Sequence, residues 1–269
     1  MVEQKESDQV CGRQFSVDLP RGAFRRRRQS APFPDQRPDT DELVRRLRRF
    51  GMFEAMPAEA LAELAPAASV QVFHSGETIW REGEANRCVL FIERGLVKSA
   101  RRNRSGVNRT YGLHGPGDSM GIYAIWAGMK YPTDAVALND GMTALLIDSA
   151  ALVRFAQRHP GLADPLMVEI GHFTEAFIRK IEIISAGTVP QRLAALMTML
   201  IERYGIDQDN GTAHLPINLT LEHLSEIVDA RVETVARTLG NWKRQGWLSS
   251  DANGYHFAHL DQVEALLPM

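Results

Sequence analysis

The spacing of apolar residues changes character several times along the chain, and each change marks a different kind of element. Up to about residue 40 there is no period: the stretch is polar, broken by Pro32, Pro34 and Pro38, and carries the run Arg25 to Arg28. Such a composition buries too little apolar surface to offset the entropy of ordering, so residues 1–40 are expected to form a disordered basic tail. From Thr40, Leu43, Leu47 and Phe50 recur at helical spacing behind the acidic first turn of Asp41 and Glu42, and a second short helix follows Pro57 with Leu61, Leu64 and Ala65. Between about Ser69 and Ile147 the period drops to two, in Val70 and Val72, Ile79 and Trp80, Val89 to Ile92, Leu96 and Val97, Tyr111 and Leu113, Ala135 to Leu138, and Ala144 to Ile147. Gly76, Gly83, Gly95, Gly106, Gly115 and Gly117 punctuate these runs. Many short strands at turn-like intervals predict a small barrel, sandwich or roll, with the two helices as its lid.

After Asp148 the helical period returns. From Gly161 to about Ala186, Leu166, Ile170, Phe173, Phe177, Ile181 and Ile184 step by threes and fours, the a/d spacing of a coiled-coil seam. These six residues are the expected dimerisation seam, and packing on the chain's own β domain is the competing use of the same line. Gly187, with Pro190 at a first-turn position, supplies a break and a restart. A helix follows over Pro190 to Tyr204. Then Thr220, a good N-cap, opens a helix with Leu224, Ile227 and Val228, and a tight turn at Asp229 to Arg231 leads to another with Val232, Val235, Leu239 and Trp242. Two short helices in this relation make a helix-turn-helix. Leu248, a turn over Ser249 to Gly254, and Tyr255 to Phe257 add a β-hairpin wing.

Composition narrows the function. A chain of 269 residues with 44% hydrophobic and 24% charged residues has room for two cores. Its net charge of −2 gives no overall basic footprint, so any contact with nucleic acid has to be local. The local excess lies on the second helix of the pair, in Arg231, Arg237, Lys243 and Arg244 against Glu233. Glu233 and Arg237 are four residues apart and share a face; Arg donates twice to guanine and Glu accepts from the amino group of cytosine. An ordinary surface ion pair is the alternative for these two. The longest uncharged apolar stretch, Met120 to Met129, falls short of the roughly 20 residues that span a bilayer, and the N-terminus lacks an apolar signal core, so no membrane contact and a cytoplasmic location are expected. Two cysteines, Cys11 and Cys88, supply neither a disulfide framework nor a four-thiolate cluster. No phosphate-cradling loop, H-E-x-x-H or nucleophile elbow occurs, and Asp207 and Asp209 read as solvated loop residues, so an enzyme is not expected.

The stretches Gly115-Pro-Gly-Asp-Ser-Met-Gly121 and Val232-Glu-Thr-Val-Ala-Arg237 resemble the CRP/FNR superfamily of transcription regulators, over roughly residues 45 to 260. The resemblance implies an α+β protein: a cyclic-nucleotide-binding-like antiparallel β-roll (residues 41–150), a dimerising C-helix (151–187) and a winged helix-turn-helix (188–269). It implies a homodimer on double-stranded DNA that acts with RNA polymerase. Arg231, Val232, Glu233, Thr234, Ala236, Arg237, Lys243 and Arg244 are then the candidate DNA contacts, with Glu233 and Arg237 reading a TGA-type half-site core and Val232 and Ala236 tuning its flanks. Asp229 stands where a glycine is common in the family, and Arg231 where a capping Ser or Thr is common. Gly121, Ile122, Tyr123, Pro132 and Thr133 are the effector-pocket candidates. Nucleotide binders of the family carry a Glu and an Arg where this chain has Ile122 and Pro132, which argues against cAMP. The nearest pattern is that of the FixK or NnrR kind. The effector stays open: no metal site is expected, an iron-sulfur cluster is ruled out by ligand count, Cys88 is a redox candidate, and haem is carried as a candidate on His74, His114 or His172. A ligand-binding subunit acting on a protein partner is the reading from another class.

Overall fold

The computed structural model describes residues 38–102, 108–206 and 211–268. The expectations for residues 1–37, with Cys11 and the arginine run, and those for Gly106, Asp207 and Asp209 lie outside the described residues.

Helix α1 (Thr40–Leu47) starts where Asp39 Oδ1 accepts from the Glu42 N–H at 2.7 Å, and it buries Leu43, Val44 and Leu47. With α2 (Ala58–Ala62) and the rings of Phe50 and Phe53 it covers Phe91, Leu145 and Ile147 on the outer face of a sheet. Both rings lie within 5.3 Å of Phe91, centroid to centroid. The strands are β1 (Ala68–Phe73), β2 (Thr78–Trp80), β3 (Cys88–Arg94), β4 (Val97–Arg102), β5 (Asn108–His114), β6 (Ser119–Met120), β7 (Asp134–Ala137) and β8 (Met142–Asp148), with α3 (Ile122–Trp126) between β6 and β7. They form two antiparallel sheets, ordered β1-β8-β3-β6 and β2-β7-β4-β5. The continuous apolar run of β3 is buried on both faces. Val89 and Phe91 meet the helical lid, while Leu90 and Ile92 join Trp80, Val97, Ala135 and Ala137 between the sheets.

Helix α3 is an element for which the sequence carries no clear period: it opens directly after Gly121 and runs to Trp126. Gly121 turns the chain out of β6 at φ 97°, and the Cβ of any other residue there would stand 3.1 Å from the Cys88 carbonyl oxygen.

The segment expected as one C-helix holds two. α4 (Ser149–Arg158) ends because His159 precedes Pro160 and is pushed out of the helical region, to φ −121° and ψ 79°. After a single turn, α5 (Ala163–Ser185) runs along the roll and packs on β5. Gly187, at φ 106°, breaks the chain before α6 (Val189–Tyr204), whose start is closed by a capping box of Thr188 and Gln191.

The rest is a winged helix-turn-helix. It comprises β9 (Ala213–Leu215), α7 (Leu221–Val228), α8 (Val232–Arg244), β10 (Leu248–Asp251), β11 (Gly254–Phe257) and α9 (Leu260–Glu264), with the strands ordered β10-β11-β9. Leu193, Leu196, Met197 and Leu200 of α6 pack with Leu224, Ile227, Val235, Leu239, Trp242 and Phe257. Leu96, Leu113 and Leu138 of the roll belong to the same cluster, so the two units share apolar core.

Candidate nucleic-acid interface

Helix α8 is amphipathic, and the two faces have different jobs. Val235, Thr238, Leu239 and Trp242 are buried against α6 and α7. Glu233, Arg237 and Asn241 stand on the opposite face at four-residue intervals, all exposed. Neither Glu233 nor Arg237 makes an ion pair or side-chain hydrogen bond with any described residue, so the surface ion pair weighed from the sequence is not formed. Both leave their full hydrogen-bonding capacity free for an outside ligand. Arg231 is exposed at the N-cap without a side-chain capping bond, while Val232, Thr234 and Ala236 are half-buried at the foot of the same face. Lys243 donates to Ser250 Oγ on the wing at 2.6 Å, and Arg244 donates to Asn241 Oδ1. Lys243 is thereby tied to the wing, and both cations lie at the far end of the helix from Glu233. Asn241 was missed from the sequence, although its spacing from Arg237 carried the signal.

The turn before α8 is held without glycine. Asp229 adopts φ 51° and ψ 57°, a region that aspartate enters at less cost than most residues because its short polar side chain bonds locally. Thr220 Oγ1 accepts from the His223 N–H at 3.2 Å and fixes the other end of α7. At the wing, Gly254 has φ 132°, and a Cβ there would come within 2.0 Å of the Leu215 carbonyl oxygen.

The line read as a dimer seam is divided by the structure. Leu166 is buried in the core under the lid, and Ile170 packs at its edge. Phe173 stacks on Tyr123 at 5.2 Å, and Phe177 meets Tyr111 edge-on at 6.3 Å. These four serve the chain's own roll, Ile184 is half-buried, and Ile181 alone of the six is exposed. The physical reason is that a/d spacing identifies an apolar face without saying what covers it. One position further round, Met167, Gly171, Thr174, Ile178 and Ile181 form an exposed line with the same four-three rhythm, and Met167, Ile178 and Ile181 are 66%, 50% and 58% exposed.

Of the effector-pocket candidates, Ile122 and Thr133 are buried, Gly121 and Pro132 are half-buried, and Tyr123 is exposed. Ile122 is buried with Ile125 under the lid, Tyr123 leans on α5, and Thr133 is buried with its carbonyl accepting from Trp80 Nε1 at 3.2 Å. Between Gly121 and the half-buried Pro132, Tyr131 stacks on Trp80 at 4.2 Å and donates to the Cys88 carbonyl at 2.7 Å. Burial pushes the Cys88 thiol up to about 11, which leaves it protonated at neutral pH and removes the thiolate that redox switching uses. The three histidines weighed for haem have different surroundings. His74 sits by Asp140 on a surface turn, His172 is exposed on α5 near Glu169, and His114 is fully buried beside Ser99 Oγ at 3.4 Å. Among the described residues no three His, Cys, Asp or Glu side chains are grouped to hold a metal ion, and no helix is long and apolar enough to cross a membrane.

Two family models match the chain. The cyclic nucleotide-binding domain covers residues 70–159, and the Crp-like helix-turn-helix domain covers residues 191–268. The CRP-like cAMP-activated global transcriptional regulator of Mycobacterium tuberculosis (strain ATCC 25618 / H37Rv) is 26% identical over 202 residues, spanning 75% of this chain and 89% of that protein. The fumarate and nitrate reduction regulatory protein of Escherichia coli (strain K12) is 25% identical over 174 residues, 65% of this chain and 68% of that protein. Among solved structures, FixK2 from Bradyrhizobium japonicum superposes with a TM-score of 0.65 at 20% identity, over 75% of this chain and 98% of the other. A cyclic nucleotide-binding domain and a Crp-like helix-turn-helix domain follow one another along the chain, and it belongs to the CRP/FNR family of DNA-binding transcription regulators.

Proposed function

We propose that the protein works as a homodimer that reads a palindrome with TGA-type half-sites, without cAMP. The observation that carries this reading is the unengaged pair Glu233 and Arg237 on the outer face of α8, whose inner face is fixed in the core. Two copies joined along Met167, Gly171, Thr174, Ile178 and Ile181 present two such faces to successive major grooves, one helical turn apart. Glu233, Thr234 and Arg237 read the half-site core; Val232, Ala236 and Asn241 tune its flanks; Arg231, Lys243 and Arg244 hold phosphates. Bound there, the dimer acts on RNA polymerase from the DNA.

The relative from Mycobacterium tuberculosis is cAMP-activated by name. In this chain a buried apolar Ile122 and a proline at 132 replace groups able to hold a cyclic phosphate, and Tyr131 with Trp80 fills the space between the strands beside them. The reading is tested by selection from a random duplex library, followed by calorimetry. Enrichment of an inverted repeat and no heat with micromolar cAMP are expected. Enrichment of no sequence, or saturable cAMP heat at micromolar concentration, overturns it.

A further inference from the structure

Three positive side chains from three separate elements converge on one end of α7. Lys98 belongs to β4 in the roll, is only 6% exposed, and pairs with Glu226. Lys180 belongs to α5 and donates to the carbonyl of Ile227. Arg192 belongs to α6; its Nη1 donates to the carbonyls of Val228 and Asp229, each at 3.3 Å, and its Nε donates to the carbonyl of Gly187 at 2.8 Å.

The last carbonyls of a helix have no partner within it and carry the negative end of its dipole, so a cation placed there is bonded and attracted at once. All three cations act within four residues of the turn that passes through the left-handed Asp229 and opens α8. The turn is therefore anchored simultaneously to the roll, to the long helix and to the residue where the chain bends between α5 and α6. Lys180 also lies between Ile178 and Ile181, so one turn of α5 carries both the outward apolar line and the tether. Burial pushes the Lys180 ammonium down to about 8, a cost that a solvent-facing lysine on the same helix would not carry.

We propose that Lys98, Lys180 and Arg192 are positioning residues for DNA reading: they tie the helix-turn-helix turn to the sensor roll, the long helix and the bend, and so set where α8 points. None of the three lies on the reading face. The proposal deepens the DNA-reading assignment and rests on it.

The test uses the full-length protein and a duplex selected by the wild type, with binding followed by fluorescence anisotropy against a scrambled duplex over a range of salt. Lys180→Met and Arg192→Gln are each expected to lower discrimination between the two duplexes about ten-fold. The salt slope should stay at the wild-type value, because no phosphate contact is removed. Lys180→Arg should recover discrimination to within about three-fold. Since either loss could instead loosen the fold, a charge swap gives an independent arm: Lys98→Glu and Glu226→Lys should each lose discrimination and the double variant should regain it. Variants that discriminate like the wild type overturn the proposal. So does loss that follows only the fraction unfolded in a thermal melt, or a charge swap without recovery. A wild type that selects no duplex instead overturns the DNA-reading assignment itself, and the proposal with it.

Discussion

Arg237 and Glu233 face water with no partner among the described residues, so both are open to an outside ligand. Replacing Arg237 by alanine is expected to cost about 1 to 3 kcal/mol of operator binding and to relax preference at one base pair per half-site. Anisotropy titrations over a set of singly substituted operators would read this directly, with the melting temperature unchanged; a preference identical to wild type would remove Arg237 from the reading set. His114 represents the opposite case, a titratable group enclosed by the fold. Burial holds its imidazole down to about 4, against an ordinary value of 6.5, so it stays neutral in the folded protein. Between those two values the unfolded chain binds the proton and the folded one does not, so stability falls as pH drops through that window. Lowering pH from 7 to 5 should therefore cost about 2 kcal/mol through this one residue. Urea midpoints at the two pH values, for wild type and His114→Phe, would show the difference shrinking in the variant.

Among the elements, α5 shows what periodicity can and cannot specify. Its inner line, Phe173 and Phe177, packs on the rings of Tyr123 and Tyr111, and its outer line, Ile178 and Ile181, is 50% and 58% exposed. If the proposed dimer forms along this line, Ile178→Asp with Ile181→Asp should leave the protein folded with a single melting transition and yield a monomer in sedimentation. Phe173→Ala should do the reverse, lowering stability by about 3 kcal/mol while a dimer persists. A dimer that survives both aspartates places the contact elsewhere. The strands and the helix-turn-helix were legible in advance because period two, turn glycines and a capping Thr220 are local signals. Helix α3 was not, since five apolar residues after a glycine suit a loop or a short helix equally. The orientation of α5 was not either, because its spacing fits two partners. The pairing of Lys98 with Glu226 joins positions 128 residues apart and leaves no trace in either neighbourhood.

At the scale of the whole molecule, the reading head is not a bead on a string. Arg203 of α6 bonds both carboxylate oxygens of Asp118, at 2.7 and 3.0 Å, and Asn139 of the roll donates to the Asn218 carbonyl at 2.7 Å. Under these polar ties runs the shared cluster of Leu96, Leu113 and Leu138 with α6 and the helices beyond it. Calorimetry is expected to show one transition for both units, and Leu138→Ala, at a fully covered position, should lower it by about 2 to 5 kcal/mol without splitting it. Two separated peaks in the wild type would contradict the shared core.

That common cluster limits how this protein can be rebuilt. A head excised at Gly187 would carry a greasy scar where three leucines once lay, inviting aggregation. Anyone grafting it to a foreign sensor must recreate a matching footprint, because a flexible tether alone would deliver a soluble hinge and a sticky cargo.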